Sequence, residues 1–248
     1  MQGRKSSPED EGEVRGGSCR TWPGSRAGAV AIADARVRIW DLPTRMFHWA
    51  LAALVALSIV TAQLGGLWLD WHMRSGYAIL TLVVFRLLWG AAGSRYAQLT
   101  HFVRGPRTVL QYLRGHHHEV KAGHSPLGAL SVLAILAVLL LQAATGLFAN
   151  DGSFTEGPLA RLVASATGEM LSTVHRWGEV AIYALLALHL GAVLFYLVVR
   201  RDNLVGPMIT GDRHGIDAPG VNDGPALWLR AMVLLAVAAG LTAYVVLL

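Results

Sequence analysis

Cysteine and charge are the two things this chain has least of. Cys19 stands alone among 248 residues, which excludes an intramolecular disulfide and a Cys-x-x-Cys-His attachment of haem, and leaves too few thiols for a cysteine-held iron–sulfur cluster. Charged residues make up only 15% of the chain, against roughly 25% in an ordinary soluble domain. No stretch reads as a soluble catalytic domain. The opening residues, 1–36, lack the apolar core of a secretory signal, so no cleavable signal is expected ahead of the first long apolar run.

What the chain has instead is apolar length. Hydrophobic residues make up 54% of it, and its mean hydropathy is +0.45. Five mostly apolar segments of membrane-spanning length are expected: about Phe47 to Leu64, His72 to Gly90, Pro126 to Ala149, Leu171 to Val199, and Ala226 to Leu248. The second is the weakest, because Arg74 and Arg86 interrupt it, and Asp41-Leu-Pro43 reads as punctuation ahead of the first. The third opens on Pro126, where a missing N–H costs little. Residues 1–36 are rich in Gly, Ser, Arg and acidic side chains with no apolar period, and are expected to be a disordered polar arm, with the start of the chain placed too early. Residues 37–212 form the main transmembrane unit, and 213–248 a linker with a last transmembrane helix. The predicted fold is thus an all-α integral membrane protein, a four-helix transmembrane bundle plus a fifth C-terminal helix.

Lys and Arg in the loops set the orientation. Basic residues crowd the arm (Arg4, Lys5, Arg15, Arg20, Arg26, Arg36, Arg38, Arg45), the loop after the second segment (Arg95, Arg104, Arg107, Arg114, Lys121) and the loop after the fourth (Arg200, Arg201, Arg213). The opposite side carries only Arg74, Arg161 and Arg176. All three basic groups share one side if the N-terminus is cytoplasmic and, with five spans, the C-terminus lies outside. The net charge of +5 then belongs to loops facing anionic lipid, and no nucleic-acid partner is expected.

Four histidines fit that topology. His48 and His72 open the first and second segments, and His175 and His189 lie fourteen residues apart on the fourth. Fourteen residues is nearly four turns, so the last two imidazoles share a helix face about 21 Å apart along the axis, within a hydrocarbon core of about 30 Å. The topology puts His72 and His175 near the outer side, and His48 and His189 toward the cytoplasm. Each pair has the depth and chemistry to hold one haem iron from both faces, which leaves no site for oxygen chemistry and suits electron transfer. A lone histidine at a helix end is ordinarily an interfacial polar residue. His189 is different, because an ionisable group inside a span is a functional candidate by default. Gly76, Gly178 and Gly191 lie near the ligands, where small residues let a flat ring approach.

Other polar residues carry less. His116-His117-His118 resembles a metal tract, but a solvated loop explains it better. His124, at the cytoplasmic level, is a rival ligand or a contact to a haem propionate or quinone. Arg86 and Arg176 are candidates for propionate pairing, with snorkelling to headgroups as the plain alternative. Glu179 is either a proton-relay group or an interhelical polar contact, the second being favoured. Trp40, Trp49, Trp68, Trp71, Trp89 and Trp177 fall at segment ends, as an aromatic belt requires.

Taken together, several stretches resemble the bacterial cytochrome b561 and nickel–iron hydrogenase b-type cytochrome family. They are VRIWDLPTRMFHW at 37–49, His72 through Gly93 with its FRLLWG run, FVRGP at 102–106, GHSPLGAL at 123–130, TGLFANDG at 145–152, VHRWGE at 174–179 and NLVGPMITG at 203–211. The resemblance implies two haem b groups ligated by His48, His72, His175 and His189, and a quinone as redox partner. It further implies electron exchange with a periplasmic cytochrome or with dehydrogenase or hydrogenase subunits in the bacterial inner membrane. A homodimer is compatible with it. The polar arm and fifth span depart from the simplest four-helix members.

The expected function is therefore transmembrane electron transfer through two b-type haems, as a carrier, a quinone oxidoreductase or a cytochrome subunit. The competing readings are a proton-relay transporter, against which no broken-helix pair or inverted repeat is visible, and a haem-free membrane anchor, which leaves His189 unexplained.

Overall fold

The computed structural model describes residues 36–102, 105, 107, 110, 111, 114, 123, 125–150, 152, 155–216 and 218–248. The polar arm through residue 35, His116 to His118, and His124 lie outside the described residues. Strand β1 (Arg36–Arg38) leads into helix α1 (Leu42–Leu64). A 3-10 turn, Gly66–Trp68, joins it to α2 (Leu69–Ala92). Then come α3 (Pro126–Gly146), α4 (Ser165–Val198), the short α5 (Val205–Thr210), strand β2 (Asp212–His214) and α6 (Pro225–Leu247). Five of these helices are long and apolar enough to cross a membrane, α2 being counted with its preceding turn. The all-α membrane architecture expected from the sequence is what the chain adopts.

The helix starts are written in the local sequence. Asp41 is the N-cap of α1: its side chain accepts the Thr44 N–H at 2.6 Å, and Pro43 occupies the first turn. Asp-Leu-Pro is therefore the beginning of the first span, five residues earlier than the apolar run suggests. Ser125 caps α3 the same way, accepting from Gly128 N with Pro126 following. Helix α1 stops at Gly65, whose φ of 62° an L side chain adopts only with strain. Helix α4 runs 34 residues, longer than its apolar stretch, because Ser165 to Met170 continue it beyond the hydrocarbon-length segment.

Helix α2 is the hub. It packs against α1, α3 and α6 and supplies Val83, Phe85 and Trp89 to a core that also takes Phe47, Leu51 and Val55 from α1, Leu136 and Leu139 from α3, and Ala231 and Ala238 from α6. In lipid such contacts hold by van der Waals fit rather than by escape from water. Helix α4 packs chiefly against α3 and presents little buried surface of its own.

The Arg-rich end is closed by a clasp. β1 pairs antiparallel with β2, Val37 opposite Arg213, and the Gly211 carbonyl accepts from both Ile39 N and Trp40 N at 2.9 and 3.1 Å. Arg38 bridges Asp212 and Asp223, each at 2.9 Å. Strand β2 runs across residue 212, and beyond it Val221 N donates to the Arg38 carbonyl and Leu42 N to Asp223 at the start of α1. Beneath the clasp, Ser94 Oγ donates to the other oxygen of Asp41, Trp89 Nε1 donates to Thr44 Oγ1 at 3.1 Å, and the Arg86 Nη1 donates to the Ala97 carbonyl at 3.0 Å. Arg86, 2% exposed, lies close enough to Asp41 to feel its charge. Trp40 and Trp89 are buried here too. They leave the expected aromatic belt to Trp49, Trp68, Trp71 and Trp177, all exposed.

Asp41→Ala removes a cap and a buried acceptor at once. It should lower stability by about 1–3 kcal/mol, while Asp41→Asn, which still accepts from Thr44, should lose less. Thermal unfolding in detergent measures both, and equal losses would show that the cap is not what Asp41 supplies. The clasp is also pH-dependent. The Arg38 guanidinium holds the Asp212 carboxyl below its ordinary value of 3.8. The bridge therefore contributes fully above that value and fades as pH falls through the lower, folded one. Because Arg38 is solvent-exposed, the loss is small, under about 1 kcal/mol. Amide-exchange protection at residues 37–39 and 211–214 should drop between pH 6 and pH 3, and the drop should vanish in Arg38→Ala.

Candidate functional site

Two pairs of imidazoles face each other across the side of the bundle where α4 stands opposite α1 and α2. His48 on α1 and His189 on α4 have ring centres 6.5 Å apart. His72 on α2 and His175 on α4 have theirs 6.0 Å apart. The four residues picked out by sequence are thus brought together in the two pairs that depth required. All four rings are half-buried. Two imidazoles bound to one metal from opposite faces, each at about 2 Å, place their ring centres about 6 Å apart. Both pairs fit that spacing.

The second nitrogen of a ligating imidazole tells which atom is free for a metal. At the end away from the clasp, His72 Nδ1 lies 2.9 Å from the Ser58 carbonyl and 3.1 Å from Ser58 Oγ. His175 Nδ1 lies 2.9 Å from the Gln142 carbonyl, with Thr145 Oγ1 at 3.3 Å. A carbonyl only accepts, so in both rings Nδ1 carries the proton and Nε2 is the lone-pair donor. Nε2 of each ring is thus free to bind a metal. Near the clasp, His48 Nδ1 is buried with no hydrogen-bond partner among the described residues.

Space for a flat cofactor is present at the far pair. A cavity of about 270 Å³ opens beside His72 and His175, walled by Gly76, Tyr77, Leu80, Gly146 and Arg176. Gly76 faces open space, and a Cβ on Gly146 would stand 2.8 Å from His175 Cε1, so residue 146 must be glycine for the ring to sit where it does. Gly191 likewise faces open space, whereas a Cβ on Gly178 would overlap the Gln142 side chain. Gly178 therefore serves the α3–α4 contact, where Gln142 Nε2 donates to the His175 carbonyl at 2.9 Å, and not the cofactor face expected of it.

The supporting candidates divide. Arg176 is exposed, touches Thr173 Oγ1 and lines the cavity, within reach of an anionic group on a ligand there. Arg86 is committed to the Ala97 carbonyl inside the clasp end, which accounts for a cation in the second span without a ligand. His124 falls outside the described residues. Sequence reading missed Ser58, Gln142, Thr145 and Gly146. The first three are ordinary polar residues in helices, and only the spacing of TG at 145–146 from VH at 174–175 within the family-like stretches hinted at their role.

The family model for prokaryotic cytochrome b561 matches residues 39–211. A curated relative, the probable Ni/Fe-hydrogenase B-type cytochrome subunit of Bradyrhizobium diazoefficiens, is 19% identical over 225 residues, covering 76% of this chain and 90% of that protein. No solved structure matches the chain. With five membrane-length helices, facing histidine pairs and a family match over most of its length, the chain belongs to the prokaryotic cytochrome b561 family and serves transmembrane electron transfer by b-type haem.

Proposed function

We propose that the chain holds two b-type haems, one between His48 and His189 and one between His72 and His175. Through them it exchanges electrons between the quinone pool and a periplasmic or membrane-bound redox enzyme in the bacterial inner membrane. The observation that carries this reading is the pair of facing imidazole couples at two depths on one helix, each at the spacing of a shared metal. A haem held on both faces supplies one-electron exchange with no open coordination position.

The chain's own residues do the rest. Ser58 and Gln142 orient the far imidazoles through their carbonyls, and such outer partners raise the basicity of the ligating nitrogen. Arg176 stands ready for a propionate at that level. Leu80 and Leu147 line the cavity and pack with Leu159, an apolar wall that keeps the site dry. The distribution of basic residues supports a cytoplasmic Arg-rich clasp end, and the His72–His175 pair then faces the periplasmic side. A periplasmic enzyme would meet the chain there. The hydrogenase-subunit name of the relative favours a cytochrome subunit that needs a partner enzyme for turnover.

A reduced-minus-oxidised spectrum with a haem-to-protein ratio tests the scheme. The purified protein should show a b-type band and about two haems per chain. His189→Ala and His72→Ala should each bring the ratio to about one, and the double variant to none. A single haem in the parent, or the same haem lost in both variants, would overturn the pairing. Gly146→Val should displace the His175 ring and remove the far haem alone. A full complement of two in that variant would show that the ring does not need the glycine.

A further inference from the structure

Helix α6 supplies no histidine to either pair, and it lies beyond residues 39–211, the stretch that matches the family. It is nonetheless fastened to the bundle at three levels. Near the clasp, Arg230 Nη1 donates at 3.0 Å to the carbonyl of Ala92, the last residue of α2. Along the middle, Ala231 and Ala238 are buried in the core around α2, where small side chains let two backbones approach closely. Val245 follows Ala238 by seven residues, two helical turns, and so continues the same stripe. There the partner changes. Val245 and Val246 pack on the cluster formed by Leu80, Leu147 and Leu159.

That cluster belongs to the far imidazole pair. Leu80 and Leu147 line the cavity beside His72 and His175, and Leu147 adjoins Gly146, against which the His175 ring sits. Leu147 and Leu159 also close the loop whose Ala149 and Gly157 line the same cavity. Leu159 N donates to the Leu147 carbonyl at 2.9 Å, and Gly157 N to the Ala149 carbonyl at 2.7 Å. Just past Leu159, Arg161 Nη2 donates to the Leu248 carbonyl at 3.0 Å, so the same loop is tied to the end of α6. The near pair has no such dependence. It lies at the clasp end, the level of Arg230, and fifteen residues of helix separate Arg230 from Val245, about 22 Å.

We infer that Val245 and Val246 are positioning residues for the His72–His175 site, acting through Leu80 and Leu147. The fifth membrane-length helix is a buttress that keeps the wall of that one site closed to water. Close-packed side chains transmit a displacement to their neighbours, so loosening the valines loosens the leucines that face the cavity. The apolar layer around a metal site controls solvent access and, through it, the reduction potential. A ferric haem between two neutral imidazoles carries a net positive charge and the ferrous form none, so water reaching the site favours the ferric form and lowers the potential. This inference rests on the two-haem reading and gives α6 a place in it.

The test is a potentiometric titration of the haem-loaded protein in lipid nanodiscs, followed by the b-type band, with Tm measured alongside. The two waves are assigned with His189→Ala, which keeps the far haem, and His72→Ala, which keeps the near one. Val245→Ala combined with Val246→Ala should move the far wave to more negative potential. The same variant should release the far haem to apomyoglobin roughly tenfold faster, the lower end of what residues behind a ligand set contribute, with the near wave and near release rate unchanged. Leu241→Ala, exposed on the same helix, should titrate as the parent does. If the double variant does not fold, Arg161→Gln, which frees the end of α6 without touching the core, decides by the same far-only shift, smaller in size. Both waves moving together with a lower Tm, or neither wave moving, would leave α6 a general stabiliser of the bundle and overturn the inference alone. A parent protein with one haem or none overturns it together with the two-haem reading.

Discussion

A metal shared by two imidazoles holds the helices that carry them apart, because ring centres about 6 Å apart leave no room for the backbones to pack. That separation governs the rest of this bundle. Helix α4 bears two of the four histidines, and its opposite numbers are on α1 at one depth and α2 at the other. Its backbone therefore cannot pack closely against either of those helices, and it meets α1 through long side chains such as Gln63, which donates to Glu179. Its position comes from α3, where Gly178 admits the Gln142 side chain and Gln142 grips His175 at both its carbonyl and its ring. The tight core lies elsewhere, around α2. One half of the bundle supplies rigidity, and the other half keeps a slot.

The two pairs are not equivalent. His72 and His175 each hand a proton to a helix carbonyl, so their tautomers and ring angles are set by the backbone itself. His48 has a buried Nδ1 with no such partner among the described residues. Outer-shell bonds of this kind make an imidazole a stronger donor to its metal, and the far site has them on both rings. Under the proposed two-haem scheme, this asymmetry is written into α1 and α3, helices that supply only one of the four rings between them.

Much of this was legible in the sequence, for a physical reason. Ionisable residues stand out against an apolar span because lipid makes them expensive, so His189 announced itself and the other three followed from helical phase and depth. Loop arginines give an expected sidedness by the same logic of cost. Residues whose role is to accept or donate one local hydrogen bond carry no such signal. Ser58, Gln142 and Thr145 look like any polar residue tucked into a helix. Trp40 and Trp89 were misassigned to a belt because the rule sees only position along a span, and cannot see that Thr44, on a neighbouring helix, offers the indole of Trp89 an acceptor. Asp41-Leu-Pro43 was legible as a boundary but not as a beginning. Its carboxylate had to be seen on the Thr44 N–H before the capping role was plain.

The clasp explains why so much polar chemistry is spent at the Arg-rich end. His48 sits only two turns into α1, and a helix frays first at its ends, so its ring is only as well placed as the first turn. That turn is held from three directions. Asp41 caps it from within, Leu42 N donates to Asp223, and the segment around α5 braces its outer face, with Arg45 donating to the Ile209 carbonyl and Trp49 to the Met208 carbonyl. The two braces flank His48 on either side in sequence. Gly211 lets the chain turn back at this point: its φ is 89°, and a Cβ there would lie 2.8 Å from the Trp40 carbonyl. Among the described residues no carbonyl holds the His48 ring, so its placement opposite His189 depends on holding the backbone instead. The backbone is held by NLVGPMITG, a stretch some 160 residues away in sequence.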